Sequence, residues 1–267
     1  MKPSKMVETD LAAVRSAHPM VHHITNNVVT NFTANITLCL GASPVMAPCI
    51  DESPEMVGFA GALLLNIGTL DPVQIESMLA AGQRANELGI PVILDPVGAG
   101  ATALRSESAV KLLGELDISV VRGNSGEVLT LAGAGGKVRG VDSIDSVGEK
   151  ESAVVEFARE SGSVVAVTGK TDFITDGRRT ATIGNGHQLM GRVTGTGCGA
   201  STAVACFAAS GIEPFRAACS GLAVYSIAGE IAGEEAGGPG TFVPLFLDAL
   251  ALLDGRMIGD MLDMEIL

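Results

Sequence analysis

Short, contiguous apolar runs alternate along the chain with longer stretches whose apolar positions recur every three or four residues. The short runs predict strands at Met20–Thr25, Pro44–Met46, Ala62–Asn66, Val92–Leu94, Ile118–Val121 and Val164–Thr168. A hairpin follows, Asp172–Thr175 and Arg179–Ile183, turning at Asp176-Gly177. The longer stretches predict helices at Asn31–Leu40, Pro72–Leu88, Ala103–Leu113 and Gly126–Leu131, then Gly197–Ser210, Pro214–Ala232 and Phe242–Leu253. Strands that are apolar at every position are buried on both faces. The expected fold is therefore α/β, a mostly parallel central sheet flanked by helices on both faces, with an all-helical C-terminal third packed along one side. The pattern carries no repeat of 20–50 residues. Ala132–Ser146, rich in Gly, Ser and charge, is expected as a surface loop or flap, leaving residues 1–267 as one domain.

Composition narrows the function classes. Of 267 residues, 47% are hydrophobic, which excludes disorder, yet there are only 8 Phe, 1 Tyr and no Trp against 34 Gly. The core must be built from Ala, Val, Leu, Ile and Met packed through small residues. With 17 Lys+Arg and 30 Asp+Glu the formal charge is −13, which disfavours nucleic acid and anionic membranes as partners. A small anion remains compatible with it, because backbone amides bind anions locally. Met1–Asp10 is polar with no apolar stretch after it, and the chain reads as cytoplasmic. Cys39, Cys49, Cys198, Cys206 and Cys219 are odd in number without a CxxC, so neither a disulfide framework nor a zinc site is indicated.

The richest chemistry lies in Arg192-Val193-Thr194-Gly195-Thr196-Gly197-Cys198-Gly199-Ala200-Ser201. Three glycines at alternate positions feed the start of an Ala-rich helix, gathering free N–H groups at the positive end of its dipole. Thr194 and Thr196 add hydroxyl donors. The bland alternative is a helix start whose glycines only permit close packing. Cys198, in the first turn, sits where the dipole favours thiolate, unlike Cys206 and Cys219 deeper in the helices. Two apparent phosphate motifs are weaker. Gly169-Lys170-Thr171 lacks the glycine and loop of a P-loop, and Gly98–Ala103 is separated from its strand by Asp95-Pro96-Val97. Asp95 ends a buried strand, where open α/β sheets bind ligands. Asn124 and Glu127 fit a capping box, and Glu127 with Asp95 also suits a magnesium–water cluster beside phosphates. Arg122 lies on the same rim, as a phosphate partner or a surface ion pair. The segment His22–Asn27 is unusually polar, its Asn pair suited to a small heterocycle, and Met46 to a flat ligand or simply the core.

Taken together, His23-Ile24-Thr25-Asn26-Asn27-Val28, Gly41-Ala42-Ser43-Pro44-Val45-Met46, Asp95-Pro96-Val97-Gly98-Ala99, Arg122–Glu127, Val167-Thr168-Gly169 and Thr194–Gly199 resemble the hydroxyethylthiazole kinases of thiamine salvage, ribokinase-like enzymes. The resemblance runs nearly end to end. It implies transfer of the ATP γ-phosphate to the primary hydroxyl of 4-methyl-5-(2-hydroxyethyl)thiazole with Mg2+, in a homotrimer with thiazole sites between subunits. It further implies that Met46, Gly195 and Asn26 contact the thiazole, that Arg122 and Thr168 contact ATP, and that Asp95 and Glu127 arrange magnesium. The anion cradle, Thr194 and Gly197 included, would then hold ATP phosphates. The wider ribokinase-like pattern has an Asp base where this chain has Cys198, so Cys198 is expected either to accept the proton or to orient the hydroxyl. Two readings compete: acyl transfer by Cys198 with His22, His23 or His187 as base, and binding of a heterocycle without catalysis. A hydroxymethylpyrimidine kinase is the nearer rival, against which the Cys198 and His23–Asn27 segments argue.

Overall fold

A computed structural model describes residues 1–134 and 147–267. In chain order the elements are α1 (Pro3–Ala17), β1 (Met20–Ile24), α2 (Thr30–Cys39), β2 (Ser43–Met46), α3 (Ser53–Met56), β3 (Ala62–Asn66), α4 (Pro72–Leu88), β4 (Val92–Asp95) and α5 (Ala103–Glu115). There follow β5 (Val120–Asn124), α6 (Ser125–Ala134), α7 (Val147–Ser161), β6 (Val164–Thr168), β7 (Asp172–Thr175), β8 (Thr180–Ile183), α8 (Thr196–Ala209), α9 (Pro214–Glu235), α10 (Pro239–Leu252), α11 (Gly255–Met261) and β9 (Met264–Ile266).

The strands form one sheet in the order β2-β1-β3-β4-β5-β6-β7-β8-β9. Pairings from β2 through β6 are parallel, and those from β6 to β9 antiparallel. Ala62-Leu63-Leu64-Leu65-Asn66 is buried throughout, as expected of a strand covered on both faces. One face packs against α1, α2 and α8–α10, through Val7, Leu11, Val204, Phe207, Leu222, Tyr225 and Phe246. The other packs against α4–α7, through Met78, Leu112, Val128 and Phe157. The absence of Trp is met by Ala, Gly and Cys in α8 and α9, which let those helices approach closely. A Cβ on Gly221 would sit 3.0 Å from the Val204 backbone.

The expected α/β architecture is present, with helices on both faces and in the C-terminal part. Five elements lie outside the expectation, the short helices α3 and α11 together with α1, α7 and β9. Helix α1 occupies the polar start, burying Val7, Leu11 and Val14 along one stripe. Helix α7 follows the 132–146 segment, of which residues 135–146 lie outside the described residues. Strand β9 extends the sheet after the last helix, where Leu267 and Thr180 exchange backbone hydrogen bonds of 2.8 and 3.0 Å. Strand β5 begins at Val120 and continues to Asn124, so Arg122 lies inside the strand and not beyond it. Local signals account for the helix ends. Asp71 caps α4 by accepting the Gln74 N–H (2.9 Å), Pro72 opens it, and Gly89 closes it in the left-handed region at φ 69.

Candidate active site

Five adjacent parallel strands each bring one polar side chain to the carboxyl end of the sheet, where such sheets bind ligands. In spatial order these are Asn26 after β1, Asn66 of β3, Asp95 of β4, Arg122 of β5 and Thr168 of β6. They form a connected row. Asn26 Nδ2 donates to Asn66 Oδ1 (2.8 Å), and Asn66 Nδ2 donates to Asp95 Oδ2 (2.8 Å). Arg122 Nη1 stands 3.9 Å from Asp95 Oδ1, and Arg122 Nη2 donates to Thr168 Oγ1. Asn66, Asp95 and Asn26 are at most 3% exposed and Arg122 is 7% exposed, so the row is a buried polar seam in an apolar sheet.

The start of α8 covers this seam. Gly195, at φ 93, takes a left-handed conformation, and a Cβ there would come within 2.9 Å of Val29. That turn aims the helix N-terminus at Arg122 and Asp95. The Gly199 N–H closes the first turn on Gly195 O (2.8 Å), leaving the amides of Thr196, Gly197 and Cys198 without an intrahelical acceptor. Ser201, one turn on, donates to Asp95 Oδ2 (2.8 Å). Cys198 Sγ receives Asn26 Nδ2 at 3.5 Å. Gly197 lies close enough to Arg122 that a Cβ would be 3.3 Å from Nη1.

Two cavities meet here. One, of about 250 Å³, is lined by Asp95, Val97, Arg122, Asn124, Glu127, Gly195, Gly197 and Cys198. The other, of about 680 Å³, runs from Arg122, Thr168 and Gly197 past Lys170, Asp172 and His187 to Tyr225 and Ser226. Arg122 and Gly197 line both. The glycine amides and Cys198 therefore face the acidic and guanidinium groups across one crevice, as the sequence reading requires.

Electrostatics bears on the two roles expected of Cys198. The helix start favours a Cys198 thiolate, but burial and the nearby Asp95 charge push the thiol up to about 11, against donation from Asn66 and Asn26. That direction favours the neutral thiol. Burial also pushes Asp95 up to about 6, partly offset by Arg122 and by the Ser201 and Asn66 hydrogen bonds. Arg122 itself is poorly satisfied. Its Nε has no hydrogen-bond partner, and neither does Asp95 Oδ1.

Not every expected residue enters this arrangement. Thr194 is exposed and lines neither cavity, while Thr196 lines the larger one with its hydroxyl donated to Met190 O (2.7 Å) and Val193 O (3.1 Å). Met46 is half-buried at the end of edge strand β2, outside both linings. Glu127 forms the anticipated capping box, accepting Asn124 N–H (2.8 Å) while its own N–H donates to Asn124 Oδ1 (3.0 Å). Its other oxygen accepts Gly98 N–H (2.8 Å), so the Gly98 turn is a structural companion of Glu127. His22 Nε2 bonds Ala47 O, His23 Nε2 bonds Thr37, and His187 Nδ1 accepts Leu189 N–H. None of these three is paired with Cys198, so the acyl-transfer arrangement is not assembled. Asn66 and Ser201 were not singled out from the sequence. A polar residue ending the run Leu63-Leu64-Leu65, and a serine three positions after Cys198, are the signals that point to them.

Comparison with known proteins gives the family and the fold. The Hydroxyethylthiazole kinase family matches residues 11–255. A hydroxyethylthiazole kinase of Methanocella arvoryzae is 54% identical over 240 residues, 90% of each chain. Another, of Rubrobacter xylanophilus, is 55% identical over 236 residues, 88% of each. The solved hydroxyethylthiazole kinase protein of Pyrococcus horikoshii superposes with a TM-score of 0.92 at 42% identity, covering 98% of this chain and 99% of that one. A pyridoxal kinase of Staphylococcus aureus, in complex with AMP-PCP and pyridoxal, aligns with a TM-score of 0.65 at 16% identity over 93% of this chain and 98% of that one. That likeness shows the fold alone, which is ribokinase-like as expected.

Proposed function

The chain belongs to the hydroxyethylthiazole kinase family, and we propose that its phosphoryl transfer takes place where the two cavities meet, at Arg122 and Gly197. The enzyme phosphorylates the primary hydroxyl of 4-methyl-5-(2-hydroxyethyl)thiazole in thiamine salvage, with ATP as co-substrate. One observation carries the placement. A buried guanidinium with an unpartnered Nε, one hydrogen bond to Thr168 and a 3.9 Å ion pair to Asp95 lines both cavities. A buried cation left so under-satisfied is matched by an anion that bridges the two spaces, as a triphosphate does.

Phosphoryl transfer is catalysed mainly by positioning and by neutralising the equatorial oxygens. In this reading ATP lies in the larger cavity, with Thr168 and Arg122 on its phosphates. The amides of Thr196, Gly197 and Cys198 receive the transferring group at the helix N-terminus. The thiazole alcohol enters the smaller cavity beside Gly195 and Cys198, with Asn26 behind the Cys198 sulfur. As a neutral thiol, Cys198 orients the attacking hydroxyl and does not remove its proton beforehand, a role suited to a loose transition state.

Among the described residues no cluster of three or more His, Cys, Asp or Glu is built to hold a metal unaided. Magnesium in kinases needs one or two carboxylates plus phosphate oxygens and water, and the two carboxylates here fit that demand. Asp95 would hold it through the unpartnered Oδ1, and Glu127, whose oxygens each already take a backbone N–H, through water. When bound, the ion would neutralise charge on the β- and γ-phosphate oxygens.

The same reading takes residues 1–267 as one catalytic domain, which the single continuous sheet supports. It takes the assembly as a homotrimer in which Met46 reaches thiazole across a subunit boundary. In support, Met46 ends an edge strand, and Val28 and Leu38 expose 65% and 58% of their surface. It places the enzyme in the cytoplasm, away from nucleic acid and membranes. The charge of −13 supports this, and no described helix is long and apolar enough to cross a membrane. A coupled ADP-release assay across thiazole and pyrimidine alcohols tests the function. ADP release that depends on hydroxyethylthiazole and exceeds that with hydroxymethylpyrimidine is expected, and its absence would overturn the reading.

A further inference from the structure

We propose that Asn66 is a positioning residue that couples the two ends of the transfer site, fixing the Asn26 amide on the acceptor side and the Asp95 carboxylate on the phosphoryl side through one side chain. The inference rests on the kinase reading above and assigns a role to a residue that lines neither cavity.

The polarity of the row carries the argument. An amide side chain can be turned over, exchanging its oxygen for its NH2, unless a neighbour of fixed character holds one end. Here two backbone donors do so. Gly68 N–H donates to Asn66 Oδ1 (3.0 Å), and Val28 N–H donates to Asn26 Oδ1 (3.1 Å). Backbone N–H groups are donors only, so both oxygens must face them and both NH2 groups must face the site. The Asn26 NH2 is thereby sent to Asn66 Oδ1 and Cys198 Sγ, and the Asn66 NH2 to Asp95 Oδ2. Ser201 takes the remaining capacity of the same Asp95 oxygen, so Oδ1 is the one left facing Arg122. Gly68 is part of the device. A Cβ there would lie 2.6 Å from Asn26 Nδ2, so only glycine lets this backbone approach the pair.

Asn66 thus performs two separable tasks with two atoms. Its oxygen holds the Asn26 amide, and its NH2, which also faces Cys198, holds the Asp95 carboxylate. Asn66→Asp keeps the oxygen and the shape but replaces the permanent amide donor facing Asp95 with a carboxyl that donates only while it holds a proton. Asn66→Ala removes both. Steady-state kinetics of the full chain should separate them. For Asn66→Asp, kcat is expected to fall about 30-fold, the scale of one lost hydrogen bond to a charged group, with both KM values within about threefold of wild type. For Asn66→Ala, the KM for hydroxyethylthiazole should rise about tenfold as well, while the KM for ATP stays within about threefold. The double variant Asn26→Ala/Asn66→Ala should show a thiazole KM no more than about threefold above that of Asn66→Ala, because the two residues act as a unit.

A residue that merely fills space would behave otherwise. Wild-type kcat in Asn66→Asp, or parallel loss of kcat and both KM values in step with a lowered melting temperature, would overturn the proposal. Should Asn66→Ala fail to fold, the near-isosteric Asn66→Asp still decides the matter through kcat. Failure of the kinase reading shows in the wild-type enzyme, as ADP release indifferent to thiazole. The positioning role is then judged from the crystal structure of Asn66→Asp. An Asp95 side chain turned from its wild-type orientation supports the role, and an unchanged one overturns it.

Discussion

Two arginines among the described residues each face a buried aspartate, and the pairs are built differently. Asp10 of α1 is 2% exposed and fully engaged. Arg216 Nε donates to its Oδ2 (2.8 Å), Arg216 Nη2 to its Oδ1, and Ser220 Oγ to Oδ2 (2.6 Å). Asp95, 1% exposed, keeps one oxygen without a hydrogen bond, 3.9 Å from an arginine whose own Nε is unpartnered. The first pair closes on itself and ties the N-terminal helix to α9. The second is open, and it is open toward two cavities. Burial and charge of the carboxylate alone do not separate a structural ion pair from a functional one. The unmade hydrogen bonds do.

The comparison predicts opposite responses to removing each arginine. Arg122→Gln should lower kcat/KM by about 10³-fold, the scale of a lost cation on a transferring phosphoryl group, and should destabilise the fold less than the matching change in the other pair. Arg216→Ala should do the reverse. Leaving Asp10 buried without its partner costs about 3 kcal/mol in denaturant unfolding, with kcat unchanged at a temperature where the variant is folded. If Arg122→Gln were the more destabilising and Arg216→Ala the less active, the distinction would be lost.

Smaller effects sharpen it. Cys198→Ala should reduce kcat only about tenfold, as for loss of an orienting contact. In the wild type, kcat should show no rise from pH 7 to 9 attributable to thiolate, since the thiol is pushed up to about 11. A hundredfold or greater loss in the alanine variant would give Cys198 a covalent or basic role. Asp172 offers the mildest test. It borders the larger cavity, accepts Gly169 N–H (3.0 Å), and is pushed up by burial to about 6 from 3.8. Between those values the folded chain holds a proton that the unfolded chain has released, so stability falls as pH rises through the window. Asp172→Asn should remove that contribution and flatten the decline between about pH 4 and 6 by roughly 1–3 kcal/mol. Asp95 retains a slope in the same window.

Much of the fold was legible because strands β3 and β4 are apolar up to their last residue and helices α4, α5, α9 and α11 carry side-chain caps. Helix α1 escaped notice although Val7, Leu11 and Val14 have helical spacing, because its charged flanks dominate the local composition. Strand β9 has three residues and takes its identity from pairing with β8, which no local pattern encodes. At the site, Asp95, Arg122, Glu127 and Cys198 could be read from strand ends and a helix start. Asn66 could not, because its role depends on β3 lying between β1 and β4, a matter of sheet order. The Cys198 thiol shows the same division. The dipole that favours thiolate follows from its place in the helix, whereas the burial that overrides it follows from what folds around it.

The account's central claim is that nucleotide and acceptor meet at Arg122 under the first turn of α8. A crystal structure of the enzyme with a non-hydrolysable ATP analogue and hydroxyethylthiazole tests it most directly. The account predicts the terminal phosphate hydrogen-bonded to Arg122 and to the amides of residues 196–198, with the thiazole hydroxyl beside Cys198. A terminal phosphate bound elsewhere, with Arg122 still turned toward Asp95 and Thr168 alone, would contradict it.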